Sequence, residues 1–282
     1  MMQFLAQLIA WINIPVSAVC DLLLIPIAHL PGWVSNGIYA ALAAPVGMLV
    51  FKYTSNQDAI GGVRDSIKAN MLALKLFKDS MAVTMQAQGK LFKASFLILF
   101  HALKPMLVMT VPFVLLFCQL GLWYQARPLL PGERAQVVME LNGDDSDPMP
   151  DVTIASMPSA EVTIAKTTVP SKRSLYWEIE AKQASSETIV FQVDGEKIEK
   201  ELAVGDSFMP VSPLRPGWNV LDILENPREK PFPPESAVKS ISIVYPDRIS
   251  KTSGTTWWMG YYFVVMIVFG LILMPFIKVK MF

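Results

Sequence analysis

The chain has 282 residues with 24 basic and 24 acidic side chains; 52% of it is hydrophobic and only 17% charged. A soluble domain of this size carries roughly 25% charged residues, so this composition, with a mean hydropathy of +0.40, points to a membrane protein. Zero net charge argues against a specific nucleic-acid partner, and two cysteines (Cys20, Cys118) with two histidines (His29, His101) give no disulfide framework, zinc quartet or catalytic triad, so no enzyme, metal or cofactor is expected.

Between Met1 and Val50 Asp21 is the only Asp, Glu, Lys or Arg, so a basic signal-peptide n-region is missing. Phe4 to Leu30 is apolar but interrupted by Asn13, Pro15, Asp21, Pro26 and Pro31. A straight helix through these prolines would lose backbone hydrogen bonds that lipid cannot replace. Residues 1–30 are therefore expected to form an interfacial or re-entrant helix, with a fourth spanning helix as the alternative. Three spans are predicted: 33–51, 105–124 with Pro112 near its middle, and 257–276, which opens on Trp257, Trp258, Tyr261 and Tyr262.

The basic residues set the expected orientation. Segment 52–104 carries eight basic and three acidic side chains, and the tail 277–282 adds Lys278 and Lys280. Both are predicted to be cytoplasmic, which leaves residues 125–256, with 14 basic and 20 acidic side chains, outside the cytoplasm of a cell (inner) membrane protein. Within 52–104, Asn56 is a candidate cap, and Ile60, Val63, Ile67, Met71 and Leu74 recur at helical spacing. Lys78-Asp79-Ser80 breaks that pattern before a second helix, Met81–Leu103, bearing Met85, Phe92, Phe96 and Leu99. Such a helical hairpin either packs on itself or presents a docking surface of Arg64, Lys68, Lys75, Lys78 and Met85 to ribosome, nascent chain or partner subunit.

Residues 134–250 alternate as β structure. Strands are expected at 135–141, 151–155, 161–166, 174–181, 188–193, 197–203 and 238–245, with Asp194-Gly195 closing a hairpin and a short helix at 220–224. The fold class is thus a membrane α + β protein: three transmembrane helices, a cytoplasmic helical hairpin, and an extracytoplasmic β-sandwich between the second and third spans. The acidic stretch Asp144, Asp145, Asp147 and Asp151 lacks EF-hand order and is expected to be a solvated turn. His101 is expected as an interfacial side chain, and Gln119 lies inside the second span, where polar groups usually face protein or a watery cavity.

Three blocks carry a resemblance: LLIPIAHLPGW through VFKYTSNQ (Leu23 to Gln57), LKPMLVMTVPFVLLF (Leu103 to Phe117) and WWMGYYFVVMIVFGLILMPFIKV (Trp257 to Val279). In this order, with a basic hairpin between the first two, the chain resembles the YidC/Oxa/Alb insertase superfamily. The branch it is most similar to holds small archaeal relatives of unknown function and the third subunit of the eukaryotic ER membrane protein complex. The resemblance implies a groove that helps hydrophobic client segments enter the lipid bilayer, with Lys52, Lys104, Thr110 and Gln119 in it or on its rim. Insertases of this family commonly hold a positive residue in the groove, whereas here Lys52 and Lys104 stand only at span ends. The large outer domain follows the second span, whereas in Gram-negative bacterial relatives it precedes the core. The alternative function is an envelope scaffold whose sandwich binds an extracytoplasmic protein partner. A transporter ranks third, because three spans without ionisable residues offer no substrate path.

Overall fold

The computed structural model describes residues 2–27, 29–77, 79–144, 147–249 and 257–277; Lys78, Asp145, Lys278 and Lys280 lie outside them. The chain divides into two compact units, one of residues 1–35 with 115–258 and one of 36–114 with 259–282.

The first unit begins with α1 (Met2–Leu24), a 23-residue helix that continues through Pro15 and ends in a 3-10 turn at Ile25–Ile27. Pro15 does not interrupt it, because a proline removes one helical bond and leaves the rest of the ladder in place, but the helix does end before Pro26. Ala6, Asn13, Cys20 and Leu24 are buried along one stripe, while Phe4, Trp11, Ile14 and Leu22 are exposed. This inverts the pattern of a soluble amphipathic helix. The polar stripe has defined partners: Asn13 Nδ2 donates to Ile223 O at 2.9 Å, Ser17 Oγ to Pro227 O at 3.5 Å, and Asp21 lies 3.7 Å from Arg228.

The described residues of the same unit hold eight strands: β1 (Arg134–Leu141), β2 (Val152–Ser156), β3 (Ala160–Val169), β4 (Ser174–Ala181), β5 (Ser185–Val193), β6 (Glu196–Val204), β7 (Leu214–Arg215) and β8 (Val238–Ile243). All seven expected strands are present. They build a five-stranded sheet ordered β3-β4-β1-β8-β7 and a three-stranded sheet ordered β2-β5-β6, antiparallel throughout. Period-two alternation turns Val137, Met139, Leu175, Trp177 and Ile179 of one sheet and Ile189, Phe191, Ile198 and Leu202 of the other into one core. Trp177 and Phe191 meet across it with ring centroids 5.4 Å apart. Each such side chain, fully withdrawn from water, contributes about 1.5–3 kcal/mol. The β5–β6 hairpin closes on Asp194 (φ 46°) and Gly195 (φ 90°), two left-handed residues whose twist matches the flanking strands. The short helix α5 (Val220–Glu225) is capped by the Asn219 side chain on the Leu221 N–H.

The remaining helices are α2 (Gly32–Thr54), α3 (Gln57–Leu76), α4 (Met81–Tyr124) and α6 (Trp258–Ile277). The unit boundary crosses α2, α4 and α6. Asn56 caps α3 by accepting from the Ala59 N–H, as expected. The second hairpin helix and the second span form one 44-residue helix, α4, that runs through Pro105 and Pro112 and is about 66 Å long. Among the described residues four helices are long and apolar enough to cross a membrane: 3–27 (α1 with its 3-10 turn), α2, α4 and α6.

Candidate functional site

In the second unit, α2, α4 and α6 surround an apolar cavity of about 310 Å³. Four methionines line it (Met48, Met109, Met266 and Met274), together with Phe51 and Phe113. Its small side is made by Ala44, Gly47 and Gly270. A Cβ on Gly47 would stand 3.2 Å from Met109 Cε, so glycine there leaves room for the methionine. The lining has no ionisable side chain. Thioethers on unbranched, polarisable side chains adapt their shape to varied apolar partners, and this cavity therefore suits an apolar segment or chain of no fixed outline.

The residues predicted for a groove and its rim do not converge on this cavity. The Lys52 ammonium, in the last turn of α2, donates to Ile277 O at 2.8 Å and so caps the C-terminus of α6, where a cation is favoured. Thr110 Oγ1 returns its hydrogen bond to Met106 O at 2.9 Å within its own helix. Gln119 belongs to the first unit, where it is 3% exposed and donates to Ser17 Oγ at 2.7 Å. Lys104 lines a second cavity, of about 340 Å³, with Tyr53, Thr54, Ser55, Asn56, Phe100 and His101.

On the hairpin, Arg64 is half-buried and Lys68, Lys75 and Met85 are exposed. Ile60 and Val63 are buried, but Met71, Phe92, Phe96 and Leu99 remain open. Arg64, Lys68 and Lys75 share one face of α3 by their spacing of four and seven. In the acidic stretch, Arg173 donates to Asp144 O at 2.7 Å and Asp147 O at 2.9 Å, so the turn is already tied by a cation. Among the described residues no group of three or more His, Cys, Asp or Glu could hold a metal ion.

Sequence reasoning missed a charged cluster inside the first unit. Lys200, on the inward face of β6 between Ile198 and Leu202, is fully buried; its Nζ lies 2.5 Å from Glu229 Oε1 and 2.6 Å from Ser212 O. Glu229 also accepts from Ser212 Oγ and from the Glu201 N–H. Burial pulls the Lys200 ammonium below the usual lysine range, and the Glu229 carboxylate pulls it back. A lysine at the inward register of an otherwise apolar alternation was the available signal. Arg228 continues the network by donating to Glu201 at 2.6 Å and facing Asp21 of α1.

A second missed feature is an aromatic collar in the first unit. Tyr124 OH shares a 2.7 Å hydrogen bond with Ser35 Oγ, and its ring packs on Trp258 and Phe208. Arg248 covers the Phe208 ring at 4.8 Å, and burial draws its guanidinium down to about 10. No family, curated protein or solved structure matches this chain.

Proposed function

We propose that the protein is an insertase-like membrane-protein biogenesis factor, without covalent chemistry, that shelters hydrophobic segments on their way into the bilayer. The observation that carries this reading is the methionine-lined cavity among α2, α4 and α6, whose walls are apolar and free of charge. A transient client needs adaptable contact more than tight complementarity, and methionine supplies it. The sequence resemblance to the insertase superfamily is the second support. In this reading α2, α4 and α6 span the inner membrane, and α1 lies at its surface with its polar stripe on the outer domain. The lysine-bearing hairpin is cytoplasmic and recruits nascent chains or ribosomes, while residues 125–256 face outward.

The test is site-specific photo-cross-linking in membranes that are synthesising new protein. A photoreactive residue at Met109 captures apolar client segments, whereas one at Leu107, exposed on the same helix, does not. Gly47→Leu, which fills the cavity, abolishes the capture. Equal yields at the two positions, together with an unaltered membrane proteome after depletion, would overturn the reading.

A scaffold role for the sandwich is the second reading. It is favoured by a hollow of about 550 Å³ on the five-stranded sheet, lined by Gln136, Ile164, Thr167, Val169 and Tyr176 among others. Irregular register at Ile164 shapes it. If residues 125–256 alone recover the full partner set and phenotype, the scaffold reading replaces the first.

A further inference from the structure

We propose that the cavity at the corner between α2 and α3 binds the phosphate of an anionic phospholipid headgroup. This rests on the reading of α2 and α4 as membrane-spanning, but not on insertase activity.

The hydrogen-bond inventory of the lining residues sets its chemistry. Two side-chain acceptors there are already engaged from within the chain: Asn56 Oδ1 takes the Ala59 N–H at 3.0 Å, and Ser55 Oγ takes the Gln57 amide. Thr54 Oγ1 donates to Val50 O at 2.7 Å and is satisfied along its own helix. What the side chains keep for a ligand is mostly donors. The Ser55 hydroxyl, which accepts from Gln57, keeps its proton to give. Asn56 keeps its Nδ2 hydrogens, and Tyr53 its phenol. His101 Nδ1 lies 2.6 Å from Leu97 O; a carbonyl only accepts, so the proton sits on Nδ1 and Nε2 is left to the cavity side of the chemistry. In that tautomer Nε2 is an acceptor, the exception among these groups. Lys104 adds a full positive charge, and no carboxylate lines the space.

A cavity with these side-chain donors, a lysine and no carboxylate suits an oxyanion. Its place in the chain selects the source. It lies where α2 ends at Thr54, beside the point on α4 at which Phe100 gives way to His101 and Lys104. Tyr53 and Phe100 are 81% and 68% exposed, an aromatic pair of the kind found where a helix leaves the hydrocarbon for the headgroups. At that level the abundant oxyanion is a lipid phosphate.

The test uses the full chain in detergent and fluorescent phosphatidylglycerol or phosphatidylcholine as probes. Phosphatidylglycerol binds and phosphatidylcholine binds far more weakly. Lys104→Gln with His101→Gln weakens phosphatidylglycerol binding about tenfold or more, the loss of at least one charge-assisted contact. Asn56→Asp is the second variant. It keeps the α3 cap, since Asp and Asn cap equally well, but replaces two donors by a negative charge, and it also abolishes binding. Lys90→Gln, exposed on α4 and outside the cavity, leaves binding unchanged. Equal losses in Lys90→Gln and in the cavity variants would reduce the effect to diffuse attraction and overturn the proposal. So would competition by inorganic phosphate at concentrations that saturate the site, which would make free phosphate the ligand. Extraction of the protein from membranes by alkaline carbonate would instead overturn the spanning reading on which the site rests.

Discussion

The Lys200–Glu229 pair is the sharpest test of how the two-sheet module is held together. Lys200→Met keeps the length and apolar stem of the side chain but leaves the Glu229 carboxylate, 9% exposed, without its cation. Removing one partner of a buried pair costs about 3–5 kcal/mol, because the remaining charge is not rehydrated. At an unfolding entropy of about 2.1 cal/mol/K per residue, a module of this size loses about 4 °C of Tm for each kcal/mol. Lys200→Met therefore lowers the Tm of the sandwich by about 10–20 °C. Differential scanning fluorimetry of the full chain, followed through the tryptophans, reads it directly. The double variant Lys200→Met with Glu229→Gln removes both charges and recovers more than half of the loss, since Gln can still accept from Ser212 and the Glu201 N–H. A Lys200→Met protein that melts within about 3 °C of the wild type would mean that the pair is hydrated in solution, and the reasoning would fail.

Other expectations follow from single residues. Glu133 accepts from both terminal nitrogens of Arg127 at 2.7 and 2.8 Å, and this pairing holds its carboxyl below the usual range. Its contribution is complete above the ordinary glutamate pKa and is lost as the pH falls through the lowered value. The Tm difference between wild type and Glu133→Gln is thus full at neutral pH, shrinks as the pH falls below the ordinary glutamate value of about 4.3, and is gone once the pH has passed the lowered one. Phe191→Ala, at a fully buried site against Trp177, costs about 3–5 kcal/mol in denaturant unfolding. Gly195→Ala, at φ 90°, costs about 1–2 kcal/mol by the same measurement, while Lys197→Ala on the exposed face of β6 stays within about 0.5 kcal/mol.

The strands were legible because each half-buried strand writes its own period: Leu175, Trp177 and Ile179 face inward and Tyr176, Glu178 and Glu180 stay half open. β7 was not, since two residues hold no period. The sheet order was not either. That β8 lies between β1 and β7, and that β2 joins the other sheet, depend on register between residues far apart in sequence. α1 shows a different limit. Its prolines argued for a break, but Asn13, Ser17 and Asp21 repeat every four residues, which was a visible helical stripe. Their partners at 223, 227 and 228 were not visible. At the candidate site, charge was a poor guide. Lys52 is spent on a helix end, and the cavity among α2, α4 and α6 is marked by Met48, Met109, Met266 and Met274, a residue type that a hydropathy profile treats as background.

The bond from Asn13 to Ile223 joins positions 210 residues apart. A ribosome adding about 5–20 residues per second completes α1 and then takes about 10–40 s to make the segment that receives it. For that interval Asn13 and Asp21 lack the partners they hold in the finished fold, and only Ser17 finds one early, in Gln119. A polypeptide cut short before residue 220 never supplies the partners of Asn13 and Asp21, so the seating of α1 is among the last contacts that synthesis makes available.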